Sequence, residues 1–212
     1  LPEEYEGFNQ DFVRSMLASD AMGAGFSFSV AYSAHTGIGT LPILYYGSEE
    51  QKNKYLAKLA TGEWAAAYCL TEPNAGSDAN SGKTKAVLSE DGTHYKISGQ
   101  KMWISNAGFE KTFIVFERIE DDKYITGFIV ENDPDNGISL GEEENKLGIH
   151  SSSTRQVFFN ETIVPVENML SERGNGFKIA MNSLNIGRIK LAAASLEAQR
   201  RSITVCINYA NE

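Results

Sequence analysis

The polar and apolar positions divide the chain into three textures. Residues 9–62 carry a helical pattern. Ser48-Glu49-Glu50-Gln51 has the spacing of a capping box, in which the Ser hydroxyl and Gln amide satisfy free backbone N–H groups. Tyr55, Leu56 and Leu59 then share one helical face, and Gly62 ends the segment. Pro42 and Gly47 mark a break before it. Residues 63–172 read as strands. Thr93 to Ser98 partly alternates polar and apolar. Thr112-Phe113-Ile114-Val115-Phe116 and Gly127-Phe128-Ile129-Val130 are short apolar runs, the pattern of strands buried on both faces. Glu90-Asp91-Gly92 signals a hairpin turn, and Asp133-Pro134-Asp135-Asn136-Gly137 a second turn. Residues 176–211 return to helix, with Phe177, Ala180, Met181, Leu184, Leu191, Ala194 and Ala198 at spacings of three, four or seven. Gly187 interrupts that helix at a cost of about 1 kcal/mol against alanine, which implies close packing or a nearby ligand.

This order predicts an α+β protein: a helical N-terminal part, a middle antiparallel β-barrel or sandwich, and the start of a C-terminal helical part. The expected divisions are 1–62, 63–172 and 173–212. Both ends read as cut from a longer protein, since Leu1-Pro2-Glu3-Glu4-Tyr5 is no targeting peptide and Tyr209-Ala210-Asn211-Glu212 lacks a helix terminator.

Composition narrows the classes of function. The 212 residues are 42% hydrophobic and 22% charged, as in soluble globular proteins. The net charge of −9 comes without a basic stripe, which argues against nucleic-acid binding. Arg200-Arg201 reads as the polar face of a helix. No apolar run approaches the ~18 residues of a membrane span. Cys69 and Cys206 lie in apolar surroundings and are expected to be buried thiols of a reducing compartment. The three histidines are scattered, which argues against a zinc site.

Two runs carry candidate chemistry. Tyr68-Cys69-Leu70-Thr71-Glu72-Pro73-Asn74-Ala75-Gly76-Ser77-Asp78 is a strand end entering a turn. Thr71 and Ser77 offer hydroxyls, and Gly76 lets a ligand approach the backbone. From composition alone the run is also compatible with an ordinary hairpin loop. It contains no G-x-G-x-x-G, so it is not a Rossmann fingerprint. In Gly99-Gln100-Lys101-Met102-Trp103-Ile104-Ser105-Asn106-Ala107-Gly108, Trp103 and Ser105 are expected on one face of a strand. An aromatic surface beside a hydroxyl suits a flat heterocycle, and a core tryptophan would give the same pattern.

Both runs resemble motifs of the acyl-CoA dehydrogenase family, Y-C-x-T-E-P-x-A-G-S-D and G-x-K-x-W-I-(T/S)-N-x-G. Tyr46 to Lys52 with Tyr55-Leu56 and Gly62-Glu63 is similar to the family's G-(T/S)-E-E-Q-K…Y-L…G-E segment. Lys146 to Ile149, with Val164-Pro165 and Glu167-Asn168, resembles the end of its β domain. Gly174 to Arg188 resembles the start of its third-domain helix. The resemblance covers nearly the whole chain in the family's order.

It implies FAD bound between the β domain and a C-terminal bundle. Tyr68, Leu70, Thr71, Gly76 and Ser77 would contact the cofactor. Thr71 and Ser105 would direct hydroxyls at the flavin's polar edge, Trp103 would pack on the isoalloxazine, and Ile104 would give a backbone contact. Ser77, Asn185 and Arg188 would meet the acyl-CoA substrate, with Asn185 replacing an aspartate common in the family. The implied reaction is α,β-dehydrogenation of an acyl-CoA thioester: a glutamate takes the α-proton and hydride passes to the flavin N5. Electrons would then go to electron-transferring flavoprotein, with a tetramer as the full assembly and the cytoplasm, or a mitochondrial matrix, as its place. An acyl-CoA oxidase or related flavoenzyme of the same fold is the alternative, and so is a catalytically silent piece.

No catalytic base can be assigned to this chain. Most members take it from a C-terminal loop beyond residue 212. A minority place a glutamate just before the helix arginine, where this chain has Gly187. Because the resemblance places part of the FAD site and the tetramer contacts in the C-terminal bundle, the isolated piece is expected to hold flavin poorly. Glu72 is tempting as a base but belongs to the turn that frames the cofactor. His35 is expected to be a buried, hydrogen-bonded histidine, His150 to line the ligand cleft, and Glu142-Glu143-Glu144 to be a solvated loop.

Overall fold

The computed structural model describes residues 1–212. Helices α1 (Phe12–Met22), α2 (Ser27–Ser33), α3 (Leu41–Tyr46) and α4 (Glu49–Thr61) form the N-terminal part, with a π-helical turn at Ala34–Gly39. The α4 capping box is complete: Gln51 N–H donates to Ser48 Oγ at 3.2 Å and Ser48 N–H donates to Gln51 Oε1 at 3.0 Å. Gly62 ends α4 in the left-handed conformation at φ 78°, where a glycine carries no Cβ penalty.

Eight strands follow: β1 (Ala66–Cys69), β2 (Lys85–Leu88), β3 (His94–Ser105), β4 (Thr112–Ile119), β5 (Thr126–Glu131), β6 (Ile138–Leu140), β7 (Thr154–Pro165) and β8 (Met169–Leu170). Helix α5 (Gly176–Ala210) closes the chain. The strands pair in the order β6-β7-β3-β2-β4-β5-β8, and β1 joins β4.

The expected closed antiparallel barrel is not what forms. β6 and β8 end the sheet, each paired on one side only, and β4 pairs in parallel with both β1 and β2. The sheet nonetheless curls strongly. Tyr95 on β3 meets Phe128 on β5 at 5.1 Å between ring centroids, and Phe113 on β4 meets Phe159 on β7 at 6.2 Å, although two strands separate each pair in the sheet.

Alternation along β1, β4 and β5 explains their apolar runs. Phe113, Val115, Phe128, Val130, Ala67 and Cys69 point into the core enclosed by the curl. Ile114, Phe116, Ile129, Tyr68 and Leu70 point to the other face, against Ile43, Tyr55, Leu56 and Leu59 of the N-terminal helices and Ile179 and Ala180 of α5. Both faces are buried, so no polar position interrupts the run.

Two junctions lock helices to sheet. The buried Gln51 amide donates to the carbonyls of Glu167 (2.7 Å) and Met169 (2.9 Å). The His35 ring lies between two backbone groups, with Nε2 on Leu59 O at 3.0 Å and the Ala66 N–H on Nδ1 at 3.1 Å. Burial holds its pKa below the ordinary histidine value. His35 is therefore hydrogen-bonded as expected, though half-buried rather than fully in the core.

Other expectations need correction. Cys69 is buried but Cys206 is exposed near the end of α5. Glu143 is anchored rather than simply solvated: it accepts from Ser153 Oγ, Thr154 N–H and Arg155 Nε at 2.6, 2.9 and 2.7 Å. Arg200 and Arg201 do face outward, paired with Glu197 and, for Arg200, with Asp20. No helix is long and apolar enough to cross a membrane.

Candidate functional site

β1 leads through Leu70 and Thr71 into a loop that turns back at Glu72 and Ala75, which exchange backbone hydrogen bonds of 3.1 Å. The Met102 N–H donates to Thr71 O at 2.9 Å, so the loop is stitched to β3 one residue before Trp103.

At this point β3 is irregular. Its register against β7 shifts between Lys101 and Ile104, and Trp103 has φ 58°. A left-handed φ is costly for a bulky aromatic residue, and bulges of this kind re-aim side chains beside sites. Lys101 is buried while Trp103, two residues on, is exposed; Trp103 and Ser105 line one cavity, which Ile104 borders although its side chain is buried in the core enclosed by the curl. Trp103 is 60% exposed.

The cavity measures about 360 Å³. Tyr68, Leu70, Thr71, Gly76, Ser77, Trp103, Ile104 and Ser105 all line it, together with Arg188 of α5. Asn185 does not line it; its Oδ1 accepts from Arg188 at 2.7 Å and orients that guanidinium. His150 is not there either. It is exposed, with Nε2 against the Lys146 carbonyl at 2.5 Å.

Ala34, Ile38, Ala79, Met181 and Leu184 complete the lining. Met181, Leu184 and Arg188 share one face of α5, and that spacing was readable in the sequence. Ala34 and Ile38, from the π-helical turn, gave no local signal. A Cβ on Gly187 would approach Ile38 Cγ2 to 3.1 Å, so this glycine permits close packing of α5 on that turn.

Thr71, Ser77 and Ser105 bring three hydroxyls to the cavity's lining. An exposed indole, hydroxyls on two walls, an apolar helix face and one guanidinium suit a planar ring system with a polar edge.

Beneath the cavity lies a buried ionic cluster. Lys101 Nζ donates to Glu72 Oε1 at 2.7 Å and to Phe116 O at 2.5 Å. The Glu72 carboxylate also accepts from the Lys83 N–H at 2.5 Å and the Thr84 N–H at 3.1 Å. Burial alone would raise the Glu72 pKa, but Lys101 and the N–H donors outweigh it and hold the carboxyl below its ordinary value. A carboxylate so engaged is a structural anchor. Nearby Glu117 is buried with neither carboxyl oxygen hydrogen-bonded, and burial pushes its pKa up to about 8.

Comparison with known proteins agrees in every part of the chain. Residues 1–63 match the family model "Acyl-CoA dehydrogenase, N-terminal domain", and residues 67–162 match "Acyl-CoA dehydrogenase, middle domain". The chain is 50% identical over 212 residues to a probable acyl-CoA dehydrogenase of Bacillus subtilis, covering all of this chain and 35% of that protein. The fold superposes on an acyl-CoA dehydrogenase complexed with FAD from Bacillus anthracis with TM-score 0.96 and 46% identity, over 100% of this chain and 36% of that one. It superposes on butyryl-CoA dehydrogenase from Megasphaera elsdenii with TM-score 0.93 and 37% identity, over 99% of this chain and 56% of that one. The chain thus spans between about a third and just over half of these proteins. With two consecutive domain matches and this identity along its full length, the chain belongs to the acyl-CoA dehydrogenase family.

Proposed function

We propose that this chain forms the cofactor-framing part of a flavoenzyme that introduces a double bond between Cα and Cβ of an acyl-CoA thioester. The observation that carries the reading is the meeting of the Thr71–Ser77 loop, the Trp103–Ser105 segment and the Arg188 face of α5 around one cavity. The relatives named above, acyl-CoA dehydrogenases with one complexed with FAD, support it.

When bound, FAD supplies a two-electron acceptor for hydride. The chain's own contribution is binding and electrostatics. Trp103 offers an aromatic face for the ring system, with Ile104 beside it. Thr71 and Ser105 donate hydroxyl hydrogen bonds to a polar ring edge, where they stabilise developing negative charge. Tyr68, Leu70 and Gly76 complete that wall. Ser77 borders the thioester path, and Arg188, steadied by Asn185, offers a guanidinium to the CoA portion. The α-proton is removed by a base outside residues 1–212. Electron-transferring flavoprotein accepts the electrons in this reading, and the full protein works as a homotetramer in fatty-acid breakdown.

The test is an anaerobic absorbance titration of the full-length protein with acyl-CoA thioesters of graded chain length. The expected result is a visible flavin band that bleaches on addition of substrate. A full-length protein with no flavin, or a flavin that no acyl-CoA bleaches, refutes the proposal. Rapid reoxidation in air with peroxide release would assign the alternative oxidase chemistry.

A further inference from the structure

We propose that Glu72 and Lys101 act as a positioning pair that holds the two hydroxyl-bearing walls of the cavity in register. The inference rests on the flavin reading above and concerns how the chain maintains that site.

One carboxylate closes the loop at its neck. Glu72 follows Thr71 directly, and its oxygens accept the N–H groups of Lys83 and Thr84 at the loop's far end. The segment between them carries Gly76 and Ser77. Arg118 also holds the far side of this loop, donating to the carbonyls of Gly82 and Asn80, but Glu72 is the group that ties that side back to the loop's start, and losing it lets the two ends separate at modest entropic gain. Space for the closure is built in, because a Cβ on Gly82 would lie 2.8 Å from Glu72 Oε1.

The same carboxylate is joined to the other wall. Lys101 lies two residues before Trp103 and immediately before the register shift of β3. Its side chain is 1% exposed and its ammonium is fixed by Glu72 and Phe116 O. Displacing it frees the bulge that aims Trp103. Thr71 and Trp103 are therefore tied together by this ion pair in addition to the Met102 N–H bond to Thr71 O, and neither ionic partner lines the cavity. Glu117, next along β4 from Phe116, is kept protonated by burial, which leaves the ammonium to Glu72.

The experiment uses the full-length protein and the variants Glu72→Gln, Lys101→Met and Gly82→Ala, with Gln51→Ala as a variant destabilised at a separate junction. FAD affinity is measured on deflavinated protein, and backbone hydrogen exchange is followed in 72–84 and 101–105 with and without FAD. The pair variants should weaken FAD binding by about tenfold or more and speed exchange in both segments, even in flavin-free protein. Gln51→Ala should lower Tm while leaving both readouts near wild type. Gly82→Ala, which keeps both charges, should shift exchange in the same direction. Pair variants that lose stability no differently from Gln51→Ala, with unchanged FAD affinity and local exchange, overturn the proposal. So does any pair variant that fails to fold while Gly82→Ala leaves exchange in both segments unaltered. Wild-type protein without flavin would instead defeat the proposed function, and the exchange comparison in flavin-free protein would still decide the positioning role.

Discussion

The Tyr68 hydroxyl donates to the Ala180 carbonyl at 3.1 Å, joining the strand that enters the cavity loop to the helix that forms the opposite wall. Both groups are buried, and the Tyr68 ring packs against Phe116 at 5.1 Å. Tyr68→Phe keeps the ring and removes the donor. Ala180 lies within α5, where its carbonyl also faces an intrahelical N–H, so the loss is modest. We expect about 0.5–1.5 kcal/mol less stability by denaturant unfolding, with the fold retained.

Gln51→Ala should cost more than a surface cap. It removes the Gln51 half of the α4 capping box and strands the carbonyls of Glu167 and Met169, which the amide now satisfies. We expect a loss of about 2–3 kcal/mol, measured by equilibrium unfolding. Ser48→Ala, which touches the cap alone, should cost about 1 kcal/mol.

Two buried carboxyls make stability fall as pH rises. Burial raises Glu110 and Glu117 from an ordinary 4.5 to about 8. Between those values the unfolded chain has released protons that the folded chain still holds. Stability is therefore fully present below about 4.5, declines toward about 8, and flattens above. Each such proton contributes a slope of up to ~1.4 kcal/mol per pH unit. Glu117→Gln should flatten the decline by its share in thermal melts between pH 5 and 8. An unchanged slope would show that Glu117 is ionised in the fold.

His35 works in the opposite direction. Burial depresses its folded pKa below 6.5, so the unfolded chain takes up a proton that the fold refuses. Its contribution is fully present above about 6.5 and is lost as pH falls toward the folded value. His35→Ala leaves the Leu59 carbonyl and Ala66 N–H without their partners. We expect a loss of roughly 2–4 kcal/mol at neutral pH, with little remaining acid dependence from this position.

Gly187→Ala sets helix propensity against packing. Alanine gains about 1 kcal/mol within a helix, while its Cβ meets Ile38 Cγ2 at 3.1 Å. The net change in Tm should be small. Gly187→Leu cannot be absorbed that way and should push Ile38 into the cavity, reducing ligand affinity more than stability.

Much of this protein could be read from its residues in order. The capping box at Ser48 and Gln51 and the two-sided burial of Thr112 to Phe116 are local patterns, and each formed as the pattern dictates; α5 is a helix as its texture predicts, but of the face read from its spacing only Ala180 and Ala194 are buried while Phe177 and Leu191 are exposed. The two motif runs likewise identified the segments that line the cavity, because residue type and spacing carry that information directly. What the sequence could not decide depends on which distant groups meet. Whether the sheet closes is set by the pairing of its edges, and β4 takes two parallel partners that no local signal announces. Trp103 points where a register slip against β7 sends it, not where alternation would. Ala34 and Ile38 enter the cavity only because α5 packs across their turn, and Cys206 is exposed because nothing within residues 1–212 covers that end of the helix. Local propensity fixes elements, while long-range contact, at the cost of chain entropy, fixes how they face one another.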